Sequence, residues 1–401
     1  MSQTVPLPRI APKSVSILGA TGSVGLNTID LIARDPGRYR VEALTANQNV
    51  EELISAVRRV KPRLAVIGDP GKYQILRDAL AGSGTEAAAG RDAVIEAASR
   101  PADWIMAAIV GAAGLAPTLA AVAQGTTVAI ANKECLVCAG DHMMDVVRRK
   151  GTTLLPVDSE HNAIFQVFDS KQPQAIEKIT LTASGGPFRT ASMAQMREAT
   201  PAQAIAHPNW RMGAKISVDC ATYMNKGLEV IEAYYLFPIE KDQIEVVIHP
   251  QSVIHSMVSY QDGSVLAQMA SPDMRTPIAY ALGWPDRIHA PVPRLDLTQI
   301  GQLTFEAPDF SRFPALSLAK AALAMGGAAP TVLSAANEIA VAAFLEGAIG
   351  FLDIARIVEQ VLAAGGSGEM SQWLRPLQSL EDVLGVDAAG RAKARELLEQ
   401  R

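Results

Sequence analysis

The sequence predicts an α/β protein in three parts: a parallel-sheet domain, an α+β region and a C-terminal all-helical domain. Three observations carry this reading. From Ser14 to Asn132, short apolar strands alternate with amphipathic helices, the pattern of a doubly wound parallel sheet. After Gly151 the strand candidates alternate apolar and polar residues, as antiparallel strands with one solvated face do. From Phe313 onward the chain is rich in Ala and Leu at helical spacing, with no strand pattern.

Strands are expected at VSILGA (15–20), VEALTA (41–46), LAVIGD (64–69), WIMAAIV (104–110) and TVAIAN (127–132), with helices such as Val50–Val60 and Gly71–Leu80 between them. Continuous apolar character in these five suits strands covered on both faces. Further strands are expected at KITLTA (178–183), QIEVVIHP (243–250), SVIHSMVSY (252–260) and SVLAQMA (264–270), paired antiparallel. The Pro- and Arg-bearing HAPVPRLD (289–296) reads as a linker. The expected boundaries are therefore a sheet domain over 1–151, a second domain over 152–288, a linker over 289–312 and helices over 313–401.

Composition narrows the partners. The chain has 401 residues, 49% hydrophobic and 19% charged, with net charge −5. Disordered chains have the opposite balance, and no cationic excess is available for a nucleic-acid backbone. Three cysteines, Cys135, Cys138 and Cys220, give no disulfide framework and fit a reducing, cytoplasmic setting. The N-terminus MSQTVPLPRIAPK lacks a signal-peptide core. Ile105 to Ala123 carries no charge over 19 residues, but Gly111, Gly114 and Pro117 divide it into strand, turn and helix start. No membrane partner is expected.

The chemistry-bearing segments begin with Gly19-Ala20-Thr21-Gly22-Ser23-Val24-Gly25, directly after a strand and opening a helix. Glycines let the backbone turn sharply and approach a pyrophosphate, and the helix N-terminus offers N–H groups to the anion. The pattern predicts a dinucleotide site in a Rossmann-type sheet, with a structural turn as the alternative. NAD enzymes place a carboxylate at the end of the second strand for the ribose 2′-hydroxyl. Here that place reads Ala46-Asn47-Gln48-Asn49, so NADP is favoured.

Further along, LLPVDSEHNAIFQ places Asp158 and Glu160 two apart, on one side of an extended chain, where they could bind a hard cation. VDCATYMNKGLEVIEAYYLF reads as one helix with Asn225, Lys226 and Glu229 on a shared face. Between them, TASGGPFRT and AHPNWRMGAKISVD suggest a mobile lid over about 184–214, hinged on glycine and carrying His207 and Trp210. His249 and His255 in IHPQSVIH are expected to face the same side. Cys220 precedes the expected start of the Asn-Lys-Gly helix, where a helix dipole would bind an anion and lower a thiol pKa.

The blocks ILGATGSVG, ANKE, PVDSEHNAIFQ, SGGPF, HPNW-RMG, ATYMNKGLEVIEA, IHPQSVIHSMV, SPDMRTPIAYAL and AANEIAVAAFL, in this order over nearly the whole chain, resemble the 1-deoxy-D-xylulose 5-phosphate reductoisomerases. The resemblance implies an NADPH domain, a central catalytic domain with a lid, a helical C-terminal domain and a homodimer. It implies Mg²⁺ or Mn²⁺ on Asp158, Glu160 and Glu229. Substrate would meet Lys133, Ser159, Glu160, Ser184, His207, Trp210, Cys220, Asn225, Lys226 and Glu229. Cofactor would meet Thr21, Gly22, Ser23 and Val24, with Asn47, Gln48, Asn49, Asn132, Glu134 and Gly213 nearby. Lys133, Glu160, His207 and Glu229 would act on the reacting atoms, with His255 in support.

Two residues depart from the family pattern: a basic residue can stand where Gln48 stands, and Cys220 replaces a phosphate-binding serine. The implied reaction rearranges a phosphorylated keto-sugar and reduces the product with NADPH. Two other classes stay open at this point. One is a semialdehyde dehydrogenase using Cys135 as nucleophile; the other is an NADP-sensing module without catalysis.

Overall fold

The computed structural model describes residues 11–210, 212–365, 373–374 and 376–400. Residues 1–10 of the N-terminal reading, Arg211 of the expected lid and 366–372, 375 and 401 of the expected helical domain lie outside them.

The N-terminal sheet has seven strands in the order β4-β3-β2-β1-β5-β6-β7: β1 Lys13–Leu18, β2 Tyr39–Ala46, β3 Leu64–Ile67, β4 Glu86–Ala89, β5 Trp104–Ala107, β6 Thr127–Ile130 and β7 Thr153–Pro156. Every pairing is parallel. The order reverses between β1 and β5, which opens a crevice at the carboxyl edge, where ligands bind in such sheets. Five of these strands overlap the expected ones, β1 and β2 each beginning two residues earlier. β4 (EAAA) and β7 (TLLP) do not, and β7 corrects the boundary at 151, because the sheet runs on to Pro156. Lys133 consequently follows the sixth strand, not the fifth.

Both faces of the sheet are covered. Val15, Ile17, Trp104 and Met106 pack into one core with Ile29 and Leu53; Leu18, Ile105, Val128 and Ile130 pack into the other with Leu115 and Leu136. The first core also takes Ile278, Ala279, Ala281 and Leu282 from the helix Arg275–Gly283. Trp104 Nε1 donates to the Ala281 carbonyl at 3.0 Å. The end of the segment expected as a separate domain over 152–288 thus returns to the first sheet.

The second sheet has the order β11-β10-β8-β9, with β8 Ile176–Ala183, β9 Ile244–Ile248, β10 Ile254–Tyr260 and β11 Val265–Met269. β10 runs antiparallel to β8 and β11, but β9 is parallel to β8, against the all-antiparallel expectation. A helical crossover between β8 and β9 is what allows this. The expected single helix around Asn225 is two, Ala214–Thr222 and Met224–Leu236, broken at Tyr223 with φ 66°. The Tyr223 ring stacks on Phe313 at 3.9 Å between centroids.

From Phe313 on, the described residues form helices and no strand: Ala315–Met325, Ala329–Leu345, Phe351–Ala364 and Leu380–Glu399. The expected linker over 289–312 holds a short helix, Leu297–Ile300, and a bridge between Ile248 and Glu306. Ile105 to Ala123 divides into β5, a turn and the helix Leu115–Val122. No helix among the described residues is long and apolar enough to cross a membrane.

Two helix glycines differ in their surroundings. A Cβ on Gly140, in the helix Glu134–Lys150, would lie 2.2 Å from the Tyr235 ring, whereas one on Gly385 meets nothing within 4 Å. Overpacking costs about 1–3 kcal/mol, and Ala in an open helical position gains about 0.5–1 kcal/mol. Gly140→Ala should therefore lower the urea unfolding midpoint and Gly385→Ala should raise it.

Candidate active site

The glycine loop leaves β1 and crosses toward β5. Gly19 has φ +90°, and a Cβ there would lie 2.5 Å from the Ala108 carbonyl oxygen. A Cβ on Gly25 would lie 2.3 Å from the Gly19 carbonyl oxygen, so both positions exclude larger residues. Gly22 caps the helix Ser23–Ala33 without any side-chain hydrogen bond, leaving its first N–H groups open to an anion. Gly22, Ser23 and Val24 line a cavity of about 1130 Å³. Thr21 is half-buried beside it. Asn132 and Glu134, after β6, line the same cavity; the Asn132 amide donates to the Gly111 carbonyl at 3.0 Å. Asn47, Gln48 and Asn49 lie exposed after β2, outside the cavity lining but beside the loop, since Ala20 N–H bonds to the Thr45 carbonyl at 2.7 Å.

At the other end of the cavity is a cluster of charges. Asp158 caps the helix Ser159–Val167, its Oδ1 accepting from Ser159 N–H at 3.1 Å, and Glu160 lies in the first turn. The expected extended geometry is replaced by a helix start, and the two carboxylates converge around that corner. Glu229 comes from the Met224–Leu236 helix, and one oxygen from each of Asp158, Glu160 and Glu229 lies within 4.8 Å of the others. Lys133 Nζ is 2.5 Å from Asp158 Oδ2 and 3.3 Å from Glu229 Oε1, and donates to Asn225 Oδ1 at 2.8 Å. Lys226 Nζ is 2.8 Å from Glu160 Oε1 and also bonds Glu229 Oε2. Asn225 Nδ2 donates to Glu229 Oε1 at 2.5 Å, and Ser159 Oγ bonds Glu160 Oε2.

Three carboxylates against two ammoniums leave one negative charge in excess. Its effect is visible on Glu229, which is 0% exposed: burial, and then the Glu160 charge, push its pKa up to about 7. Desolvation also opposes the charge on half-buried Glu160, but Lys226 outweighs that and brings its pKa down to about 2. Burial opposes the charge on Lys133, yet Asp158 and Glu229 hold it well above its usual pKa. The contact of Asp158 Oδ2 with Lys133 lacks hydrogen-bond geometry. Excess negative charge, an under-compensated buried carboxylate and three hard oxygen donors fit a small divalent cation such as Mg²⁺ or Mn²⁺.

Beneath this cluster lies a pair the sequence reading gave no role. His161 Nε2 donates to the Glu229 carbonyl at 2.9 Å, so Nδ1 is an acceptor, and it sits 3.2 Å from Glu232 Oε2 with both residues fully buried. Burial brings His161 down to about 4 and pushes Glu232 well above the carboxylate range. Among the described residues, His161 Nδ1 and both Glu232 oxygens are buried without a hydrogen bond. The available signal was Glu232 three residues past Glu229, hence on the same helix face.

The lid segment folds over the cavity. His207 Nδ1 accepts from the N–H groups of Asn209 and Trp210 at 3.2 and 3.0 Å. Its Nε2–H therefore donates to Ser184 Oγ at 2.8 Å, and burial lowers the pKa of the ring. The Trp210 ring lies 6.0 Å from the His255 ring, and Asn209 Nδ2 ties the segment to the Pro250 carbonyl at 2.8 Å. Ser184, His207, Trp210, Gly213 and His255 all line the cavity. His249 does not share its side: it bonds the Thr304 carbonyl at 3.0 Å and stacks on Phe305. Lys215, also missed in the sequence, bridges Glu134 at 2.8 Å and Asp219 at 2.9 Å. Asn337 of the C-terminal helices donates to Asp219 at 2.8 Å.

Cys220 lines the cavity but sits near the C-terminal end of the Ala214–Thr222 helix, not at a helix start. Burial and the Glu229 charge push its pKa up, which reverses the expected lowering. Cys135 is fully buried with its thiol pushed up to about 12 by burial, which removes the nucleophilic-cysteine alternative.

Comparison with known proteins decides the family. Residues 15–140 match the family model described as 1-deoxy-D-xylulose 5-phosphate reductoisomerase, 154–237 its C-terminal domain model, and 269–393 the DXP reductoisomerase C-terminal domain model. A curated relative of that name from Rhodospirillum centenum is 61% identical, over 96% of this chain and 94% of its own length. The chain belongs to the 1-deoxy-D-xylulose 5-phosphate reductoisomerase family. The relative from Zymomonas mobilis is 58% identical, over 97% of this chain and 98% of its own. A solved structure of a 1-deoxy-D-xylulose 5-phosphate reductoisomerase from Zymomonas mobilis in complex with NADPH superposes with a TM-score of 0.91 at 56% identity, covering 97% of this chain and 100% of that one. A DOX-P reductoisomerase in complex with NADPH, fosmidomycin and magnesium gives 0.91 at 44% identity, covering 96% and 98%.

The raised thiols make a prediction. At pH 8 the folded protein should show no fast-reacting thiol toward a disulfide reagent, and denaturation should release all three. Rapid labelling of Cys220 in the native protein would contradict this arrangement.

Proposed function

We propose that this chain converts 1-deoxy-D-xylulose 5-phosphate to 2-C-methyl-D-erythritol 4-phosphate, using NADPH and Mg²⁺ or Mn²⁺, as a step in making isoprenoid precursors. The observation that carries the reading is a glycine loop and a three-carboxylate, two-lysine cluster opening on one cavity. A sensing module would need no such cluster. The relatives supply the reaction by name.

Asp158, Glu160 and Glu229 hold the ion, which when bound polarises the substrate carbonyl and the neighbouring hydroxyl. Thr21, Gly22, Ser23 and Val24 would hold the phosphates of NADPH, which supplies the hydride when bound. Its adenosine end reaches Asn47 to Asn49, and Asn132, Glu134 and Gly213 flank its other end. Lys133 and Lys226 are the carboxylates' counter-charges in the ligand-free protein. With a divalent cation on the carboxylates, the two ammoniums are left to pair with substrate oxygens, Lys133 near the reacting carbons and Lys226 at the phosphate.

Asn225, Ser184 and His207 complete the phosphate site. Ser184 Oγ already accepts from the His207 ring and from Gly186 N–H at 3.1 Å, so its own proton points to an acceptor in the cavity. Cys220 stands beside them as a neutral thiol, a weaker donor than a hydroxyl. Binding energy from the phosphate orients the reacting carbons. Trp210 and His255 cover them, excluding water that would hydrate the aldehyde.

We also propose that two copies associate through the second sheet. β11 is an edge strand, with Val265 54% and Leu266 48% exposed, and such an edge is a template for pairing. Light scattering should give twice the 42.5 kDa chain mass, and Leu266→Asp should shift the protein toward monomer. The unpaired thiols fit a cytoplasmic setting.

NADPH oxidation with deoxyxylulose phosphate tests the main reading. Turnover should require a divalent metal and stop with a chelator. Asp158→Asn and Glu229→Gln should each lose about a hundredfold or more in turnover, equivalent to about 3 kcal/mol of transition-state stabilisation. NADPH affinity should stay within about twofold, since the loop and the cluster are separate. Wild-type rates in either variant at limiting Mg²⁺ would overturn the ligand assignment.

A further inference from the structure

The second strand ends in Ala46-Asn47-Gln48-Asn49, which repels no 2′-phosphate but offers it no charge either. The structure brings a cation to this turn from the next crossover. The loop after β3 is zipped onto it: Gly68 N–H bonds the Ala46 carbonyl at 2.7 Å and Asp69 N–H the Asn47 carbonyl at 2.9 Å. A Cβ on Gly68 would lie 2.8 Å from Asn47 Oδ1, so the approach is as close as glycine allows. Four residues on, Lys72 Nζ donates to the Gln48 carbonyl at 2.6 Å.

We infer that Lys72 is the cation that recognises the 2′-phosphate of the nicotinamide cofactor in this chain and sets its preference for NADPH over NADH. The inference rests on the NADPH reading above. In a doubly wound sheet the ribose 2′ position falls at the end of the second strand, which here is the Asn47–Asn49 turn. The contact with Gln48 uses one of the three donors of Lys72, and among the described residues no carboxylate pairs with it, so two donors are available to an anion. Asp69, the acid in its own loop, turns its Oδ1 onto Gly71 N–H at 2.9 Å. Asn49 Oδ1 accepts from Glu52 N–H at 3.1 Å, which leaves the Asn49 amide donors for the same phosphate. Backbone contacts place the ammonium before the cofactor arrives, so little ordering is left for binding.

Dissociation constants of NADPH and NADH, measured by fluorescence on the full-length protein, test this. Wild type should bind NADPH more tightly. Lys72→Ala should weaken NADPH by about 10- to 100-fold, as loss of a charged hydrogen bond does, and leave NADH within about twofold. Lys72→Arg should keep the preference and Lys72→Glu should remove it. The unchanged NADH affinity doubles as the control for folding. If Lys72→Ala keeps the wild-type ratio of the two affinities, or loses both equally, the assignment is wrong while the NADPH reading stands. If the wild type does not discriminate, the NADPH reading and this inference fall together.

Discussion

Lys133, Lys226, Asp158, Glu160 and Glu229 meet in a space that solvent barely reaches, and this meeting constrains the rest of the molecule. Taking a charge out of water costs several kcal/mol even after relaxation, and removing one partner from a buried pair costs about 3–5 kcal/mol. The charges must therefore arrive together. Lys133 follows β6, Asp158 follows β7, and Lys226 and Glu229 share one turn of the Met224–Leu236 helix. The register of the first sheet, the corner at Asp158 and the seating of that helix are thus tied to one electrostatic balance. Gly227 shows how tightly the helix is seated, because a Cβ there would lie 2.5 Å from the Ala319 methyl.

The layer beneath the cluster is built on the opposite principle. His161 and Glu232 are fully buried, and burial works against the charged form of each. An ionised Glu232 would add a fourth carboxylate to a cluster already in excess. His161 holds the Glu229 backbone through its carbonyl.

Much of this was legible because the chemistry sits in residues whose presence demands an explanation. A glycine run between strand and helix, an Asp and Glu at the end of an apolar segment, and Asn-Lys on an otherwise apolar helix each point to ligands. The rest depends on partners distant in the chain. β4 (EAAA) and β7 (TLLP) are the two edge strands of the sheet and less buried than the inner ones, so they lack the continuous apolar run of a strand covered on both faces, and only pairing with β3 and β6 makes them strands. Tyr223 breaks its helix because Phe313 offers a stacking surface, 90 residues later. The Cys220 reading failed on the same point: moving the helix start from before Asn225 to before Ala214 changes which end of a dipole the thiol feels. His249 was misplaced because its partners, Thr304 and Phe305, lie in a segment that reads as linker.

The return of the Arg275–Gly283 helix to the first sheet also bears on how the chain acquires its shape. Trp104 waits for a carbonyl 177 residues downstream, and the core around Val15, Ile17 and Met106 lacks part of its cover until Ile278 to Leu282 emerge. A ribosome adds about 5–20 residues per second, so one apolar face stays incompletely covered for many seconds of synthesis. Such non-local closure is slow, because chain entropy is lost before the contact repays it. Until then the N-terminal third lacks part of its own core. The chain enters the middle sheet from β7 and leaves it into the Arg275–Gly283 helix, so both ends of that segment are tied to the first sheet.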